Sequence, residues 1–175
     1  TFNTFVGERT GASIGTGAGN VGVGRRSLFQ ATGSNNTCVG MQAGYGITSG
    51  EKNIAIGLTA LDAISTGDYN VAIGSDALTN NNSGNNNIAI GRFTMEDNTS
   101  GYQNTAFGNV ALQSSTTSGN NVAIGHSSLN NVTDGEKNIG ISSSAPSLTT
   151  GDKNVVIGYV ADVDSNNAQN QIVIG

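Results

Sequence analysis

The chain alternates between short apolar segments and longer polar stretches in a fixed order. A complete apolar segment opens with asparagine, continues with a β-branched residue, a small residue and an aliphatic residue or phenylalanine, and ends with glycine, while looser copies keep most of this order. Copies of this segment start at Asn3, Asn20, Asn36, Asn53, Asn70, Asn87, Asn104, Asn121, Asn138 and Asn154. Successive copies begin 16 or 17 residues apart, and a last copy starts at Gln171. This regularity indicates an internal repeat that covers the whole chain.

Each repeat predicts one short strand bounded by turns, because β-branched residues favour strands while the flanking Asn and Gly favour turns. A small residue and a large aliphatic residue follow, as in Ala60-Leu61, and a polar stretch ending in Ser/Thr-Gly completes the unit. A unit of 17 residues is too short for a pair of helices, which needs more than about thirty. The pattern therefore predicts an all-β fold: a parallel β-solenoid of about ten rungs that forms a single domain over residues 1–175.

The asparagines at one corner of every rung predict a structural ladder. An asparagine amide bonds nearby backbone, and stacked asparagines bond one another along an axis. The residues expected in this ladder are Asn20, Asn36, Asn53, Asn70, Asn87, Asn104, Asn121, Asn138 and Asn154.

Alternation along each strand assigns its residues to two faces. We expect the flanking residues, such as Ile54 and Ile56, to fill the core together with the leucines Leu61, Leu78, Leu112 and Leu129. The middle residues then point outward, and they are almost all small and apolar. A column exposed to water normally carries polar residues, so we expect another chain to pack there. The residues of this inter-subunit column are Cys38, Ala55, Ala72, Ala89, Ala106, Ala123, Val156 and Val173.

One repeat departs from the pattern. Near residues 139–150, Gly140 and Ser142 occupy the small and glycine positions, and Pro146 stands where the leucine is expected. Because proline cannot donate to a ladder, an irregular loop or kink is expected there. Neither end of the series carries a polar capping unit, which solenoid ends need, so the segment is expected to be part of a longer fibre.

The Asn-x-Ala-Ile-Gly segment and the small residues that follow it resemble the head repeats of YadA-like trimeric autotransporter adhesins. They are also similar to the Asn-Thr-Ala-x-Gly-x-x-Ala-Leu repeats of phage tail fibres, as in Asn104–Leu112. The resemblance runs from Asn3 to Gly175, and the 17-residue period is longer than that of YadA-like heads and fits the fibre-type variant better. It implies a left-handed β-roll, three chains side by side, and attachment to a host or receptor surface.

From this resemblance we expect a non-enzymatic, structural and adhesive segment of a trimeric fibre that gives rigid projection and attachment. The expected location is extracellular, on a virion tail fibre or a bacterial surface. The expected partners are two further copies of the chain, neighbouring fibre segments, and a host receptor or glycan. The variable arcs Leu78–Gly84 and Leu112–Gly119 are candidates for recognition. Two alternatives stay open, namely a fibre-borne glycan hydrolase and a spacer without a ligand of its own.

Composition and charge narrow the classes of function. Only 11 % of the 175 residues are charged, which disfavours a charge-rich helical bundle as the fold. The net charge of −5 disfavours nucleic acid and anionic membranes as partners. No apolar run approaches the roughly 20 residues that span a bilayer, so membrane insertion is not expected. The single cysteine excludes an internal disulfide.

Candidate reactive residues are few. His126 is the only histidine and follows a rung glycine, which indicates an exposed turn residue without partners for catalysis. Cys38 is expected to be a buried structural thiol. The acid pairs Glu96-Asp97 and Asp162/Asp164 are the candidates for a glycan hydrolase. Adjacent residues on a strand, such as Glu96 and Asp97, point apart, and neither pair has a cationic or apolar neighbourhood suited to acid catalysis. The sequence therefore predicts no catalytic, cofactor-binding or metal site.

Overall fold

The computed structural model describes residues 2–175, and residue 1, with which the expected domain begins, lies outside them. The described chain contains eleven three-residue strands and no helix, so nothing in residues 2–175 forms a helix able to cross a membrane. The strands are β1 (Thr4–Val6), β2 (Val21–Val23), β3 (Thr37–Val39), β4 (Ile54–Ile56), β5 (Val71–Ile73), β6 (Ile88–Ile90), β7 (Thr105–Phe107), β8 (Val122–Ile124), β9 (Ile139–Ile141), β10 (Val155–Ile157) and β11 (Ile172–Ile174).

All eleven strands form one parallel sheet in chain order. Every pairing joins equivalent positions of neighbouring repeats, as where Ile54 lies opposite Val71 and Ile56 lies opposite Ile73. One repeat therefore makes one rung, and the rungs stack at the strand spacing of about 4.8 Å. The prediction of an all-β parallel β-solenoid of about ten rungs is confirmed.

Each rung turns away from its strand through residues in the left-handed region. At Gly57 φ is 138°, and a Cβ atom there would lie 2.5 Å from the carbonyl oxygen of Gly74 in the next rung. In the same rung Thr59, Leu61 and Tyr69 have φ values of 53°, 52° and 59°. Side chains in this conformation cost roughly 1–2 kcal/mol per residue. Hydrogen bonds between successive rungs offset that cost along the whole rod.

The interior is lined by the middle residue of each strand and not by its two neighbours. Ala55 is fully buried within the single chain, whereas Ile54 and Ile56 each expose 39 % of their surface. The prediction of an outward alanine column is therefore wrong. Of its members, Val173 is partly buried against the core, and the others are fully buried: Cys38, Ala55, Ala72, Ala89, Ala106, Ala123 and Val156.

The reason for this inversion is the narrow width of a rung. The opposite wall already supplies a large side chain, since the predicted core leucines Leu61, Leu78, Leu112 and Leu129 are fully buried. Little space is left in the interior for the side chain of the middle strand residue. A Cβ atom added to Gly140 would lie 2.6 Å from Cγ of Leu129. Alanine therefore faces inward, and the larger Ile and Val side chains face outward.

The rung at residues 138–153 has 16 residues but keeps its strand in register with both neighbours. Ala145, buried and with φ of 52°, takes the position of the usual leucine, and Leu148 is buried in the core. Pro146 is exposed, so the prediction that it replaces the leucine is wrong. Asp62 and Thr79 hold the position of Pro146 in two other rungs. Within residues 2–175, their N–H groups have no backbone acceptor, so no inter-rung bond is lost when proline stands there. Proline is therefore tolerated without interrupting the sheet.

Candidate inter-subunit face

The asparagines that open the repeats stack in one buried column. Oδ1 of Asn53 accepts a hydrogen bond from the backbone N–H of Asn70 at 2.9 Å, which joins two rungs. Nδ2 of Asn53 donates to the carbonyl oxygen of Gly67 at 2.8 Å, which closes its own rung. The inter-rung bond recurs for every predicted member of the ladder, all fully buried: Asn20, Asn36, Asn53, Asn70, Asn87, Asn104, Asn121, Asn138 and Asn154.

The sheet face that points away from the core is apolar along its whole length. It is formed by the first and third residues of β1–β11, and we call it the outward strip. Nineteen of its 22 positions carry Val, Ile or Phe, and the other three carry Thr. Ile88 exposes 38 %, Ile124 44 % and Phe107 50 % of their surfaces. The chain therefore leaves a continuous hydrophobic surface uncovered.

Such a surface is unusual for a parallel sheet, whose two faces are normally both covered. Isolated exposed apolar residues need no explanation, but a contiguous exposed patch marks an interaction site. The outward strip runs through all eleven strands, about 50 Å at the strand spacing. We therefore take the outward strip, in place of the predicted alanine column, as the candidate inter-subunit face.

A signal in the sequence was available for this assignment. In several rungs the middle residue of the strand and the residue six positions later vary inversely in size. Phe5 is followed by Gly11, whereas Gly22 is followed by Leu28. A Cβ atom on Gly11 would lie 2.7 Å from the ring of Phe5, so the two positions share one interior space. This size compensation identifies the middle strand residue as a core residue.

Polar side chains border the outward strip where each rung returns to its asparagine. Nζ of Lys52 donates to Oη of Tyr69 at 2.6 Å and lies 4.7 Å from the centroid of that ring. Further along the rod, Oη of Tyr102 donates to Oε1 of Glu136 at 3.1 Å, and this bond raises the pKa of Tyr102 above its ordinary value. An apolar centre with a polar rim is the usual anatomy of a protein interface.

The single histidine and the single cysteine of the chain both lie in structural rather than catalytic surroundings. His126 is exposed, and its Nδ1 lies 3.0 Å from Oγ of Ser127, so the prediction of an exposed turn residue is confirmed. Cys38 is a buried thiol, as predicted, but it lies in the core of its own chain and not in an outward column, and burial raises the pKa of its thiol. A protonated thiol without access to solvent is a poor nucleophile.

The acidic residues singled out by the sequence are held by different neighbours. Oε2 of Glu96 accepts from Gln113 of the next rung at 2.8 Å, while Asp97 faces Asn80 of the preceding rung. Asp162 and Asp164 likewise bond in opposite directions, to Ser147 and to Gln171. In residues 2–175 no three His, Cys, Asp or Glu side chains gather into a metal-binding group, and no cavity was found.

Sequence reasoning missed a second buried polar column in the middle rungs. Nδ2 of Asn98 donates to Oδ1 of Asn81 at 3.2 Å, and Oδ1 of Asn81 also accepts the N–H of Gly84 at 2.8 Å. Ser115 is buried at the equivalent place in the next rung. All three lie three residues after the large aliphatic residue, where Ile64 fills the core of another rung. Aligning the repeats at that residue would have revealed the column.

This column affects the arcs proposed for recognition. Within Leu78–Gly84 and Leu112–Gly119, Asn81 and Ser115 point into the core, and only part of each arc faces solvent. Asn82 and Thr117 are among the exposed residues. Part of the polar character of these arcs is therefore structural.

Comparison of the chain with protein-family models, with curated proteins and with solved structures found no match. The class that the fold defines is a parallel β-solenoid repeat protein.

Proposed function

We propose that this chain is a structural and adhesive segment of a homotrimeric fibre. In the proposed assembly three left-handed solenoids stand side by side and project from a virion tail or a bacterial surface toward a host receptor or glycan. The outward strip is the observation that carries this proposal, because it is a continuous apolar face that the chain itself leaves uncovered.

The size of the strip supports stable association. Completing the burial of an Ile that is about 40 % exposed contributes roughly 1 kcal/mol. Over 19 apolar positions this amounts to an upper limit on the order of 20 kcal/mol per chain. Association costs about 4–15 kcal/mol in lost translational and rotational freedom. The upper limit of the gain from burying the strip therefore exceeds this cost of association.

The outward strip consists of two columns, one formed by the first and one by the third residue of each strand. These two columns favour a closed ring of parallel chains. In a cyclic assembly of three or more subunits each subunit uses two different patches, one toward each neighbour. The first and third strand residues supply two such patches on every rung. In β7 the small Thr105 accompanies the large Phe107, which suits packing of one column against the other at the same level. Three chains around one axis satisfy this arrangement.

Rigidity follows from the internal ladders. Backbone bonds join every strand to the next, and the asparagine column adds a buried side-chain bond between successive rungs. Bending the rod would strain both sets of bonds together. A chain built in this way suits the role of a stiff projecting segment.

Sedimentation equilibrium tests the assembly. We expect the parent chain to sediment at three times its mass of 17.6 kDa. The double variant Ile56→Lys and Ile124→Lys should sediment as a monomer, because buried lysines oppose association while both positions are exposed in the single chain. A parent chain that is monomeric at all accessible concentrations would contradict the proposal.

A matched control carries the same added charge on another face. Ala63 and Ser100 are exposed and lie outside the outward strip. The double variant Ala63→Lys and Ser100→Lys should therefore remain a trimer. Loss of association in both double variants would show that net charge, rather than the strip, controls assembly.

A further inference from the structure

Charge is distributed unevenly along the rod. Residues 1–50 contain Glu8, Arg9, Arg25 and Arg26 and no other charged side chain, which gives a net charge of +2. Residues 51–175 carry a net charge of −7. The first two rungs therefore form a basic region on an otherwise acidic rod.

Two arginines of this region stack without a counter-charge. Arg9 and Arg26 hold equivalent positions in neighbouring rungs, both with φ of 56°, and the N–H of Arg26 donates to the carbonyl oxygen of Glu8 at 2.9 Å. The carboxylate of Glu8 lies 3.4 Å from Nε of Arg25. In the described part of the chain no carboxylate pairs with Arg9 or Arg26, and Nε of Arg26 is buried without a hydrogen-bond partner.

The other stacked basic pair differs in this respect. Lys137 and Lys153 also hold equivalent positions in neighbouring rungs. An acidic residue precedes each of them, as Glu8 precedes Arg9, but the carboxylate before Lys137 pairs with that lysine itself. Nζ of Lys137 lies 3.7 Å from Oε2 of Glu136. Like charges at stacked turn positions of neighbouring rungs repel one another. The repulsion between Arg9 and Arg26 is therefore left for an external anion to relieve.

We propose that Arg9 and Arg26, with Arg25 beside them, bind a phosphate or sulfate ester on a surface polysaccharide. Guanidinium groups present planar sets of donors that match the oxygens of these esters, and two guanidiniums one rung apart can share one tetrahedral anion. The next residue in the same column is Gln42, an uncharged amide able to bond sugar hydroxyls. The inference deepens the proposed attachment function and rests on it.

A polysaccharide with sparse esters fits this site better than a nucleic acid. A nucleic acid carries a charge on every phosphate, and its continuation along the rod would meet the net charge of −7 on residues 51–175. A sparsely esterified glycan places one anionic group at the arginines and neutral sugars elsewhere. The acidic remainder of the rod therefore selects against dense polyanions.

Binding to dextran that carries sparse phosphate or sulfate esters tests the proposal, with unmodified dextran as the reference. The parent chain should bind the esterified polymer only. The double variant Arg9→Gln and Arg26→Gln should lose at least about tenfold in affinity. Raising the salt concentration should weaken binding of the parent, and it should change the residual binding of the double variant less, because fewer charges remain to be screened. The control Lys137→Gln and Lys153→Gln removes the same charge and should stay within about twofold of the parent.

Three results would overturn the site: no binding by the parent, equal losses in both double variants, or tighter binding of single-stranded DNA than of the esterified dextran. Sedimentation of the same variants separates this inference from the proposed function. Both double variants should keep the parent's oligomeric mass, because neither changes the outward strip. Failure of binding with intact assembly would overturn the anion site alone.

Discussion

The thiol of Cys38 occupies the space that a side chain at residue 44 would need. A Cβ atom placed on Gly44 would lie 2.5 Å from Sγ of Cys38. In the next rung the same two positions hold Ala55 and Leu61, both fully buried. The interior of a rung thus accepts one larger and one smaller residue. In the third rung the strand supplies the larger residue, whereas in the next rung the opposite wall supplies it.

Gly44→Leu should destabilise the protein by about 1–3 kcal/mol, because the new side chain overlaps Sγ of Cys38 in a packed core. Adding Cys38→Ala should restore the free energy of unfolding to within about 1 kcal/mol of the parent. The double variant recreates the Ala55 and Leu61 arrangement, and Leu61 already tolerates a φ of 52°. Urea denaturation measures both values, and additive effects would contradict the shared space.

Asn87→Ala tests the asparagine ladder. Oδ1 of Asn87 accepts the N–H of Asn104 at 3.1 Å, and its Nδ2 donates to the carbonyl oxygen of Gly101 at 2.8 Å. Truncation leaves the N–H of Asn104 without a partner and the carbonyl oxygen of Gly101 with only the 3.4 Å bond from Nδ2 of Asn98, so the free energy of unfolding should fall by about 1–4 kcal/mol. In the exposed control Asn80→Ala the change should stay within about 0.5 kcal/mol. Equal effects of the two substitutions would contradict the role of the ladder.

The second polar column predicts that substitutions of Asn81 and Asn98 have non-additive effects on stability. Asn81→Ile alone should destabilise the protein, because Nδ2 of Asn98 loses the Oδ1 acceptor of Asn81 in the core. Adding Asn98→Ile removes that donor and extends the apolar column of Ile64, while the N–H of Gly101 keeps its bond to the carbonyl oxygen of Thr116 at 3.3 Å. The double variant should therefore be at least as stable as the single variant in thermal unfolding. A double variant that is less stable by the sum of two losses would contradict this account.

The sequence predicted the repeat, the parallel sheet, the asparagine ladder and the leucine side of the core. Each of these follows from the period, because residues such as Asn53 and Asn70 must stack once one repeat equals one rung. Alternation within a strand is different, since it assigns two faces without stating which one is the interior. Assigning Ile54 and Ile56 to the interior was the natural inference from their size, and it was wrong.

The missing information was the width of the rung. That width depends on turn residues such as Thr59 and Leu61, whose left-handed backbone is not predictable from their residue types. It also depends on Leu61 entering the core directly opposite the strand. Only the compensation between positions such as Phe5 and Gly11 carries this information in the sequence. The candidate face is therefore formed by the residues on either side of the alanines and not by the alanines themselves.

The bond between Tyr102 and Glu136 makes a prediction about pH. Because Glu136 raises the pKa of Tyr102 above 10.0, the bond stabilises the folded chain below the ordinary tyrosine pKa. This contribution should be lost as pH rises through the higher pKa of the folded state. Titration of tyrosinate absorption, with Tyr102→Phe as the reference, should show that Glu136→Gln lowers the pKa of Tyr102. An unchanged pKa would contradict the bond.

Two adjacent lysine substitutions test most directly which residues form the interior and which form the candidate face. Ala89 is fully buried, whereas Ile90 belongs to the outward strip. Circular dichroism and sedimentation equilibrium should show that Ala89→Lys loses the folded β-structure, and that Ile90→Lys stays folded but no longer associates. A folded Ala89→Lys variant beside an unfolded Ile90→Lys variant would contradict the account.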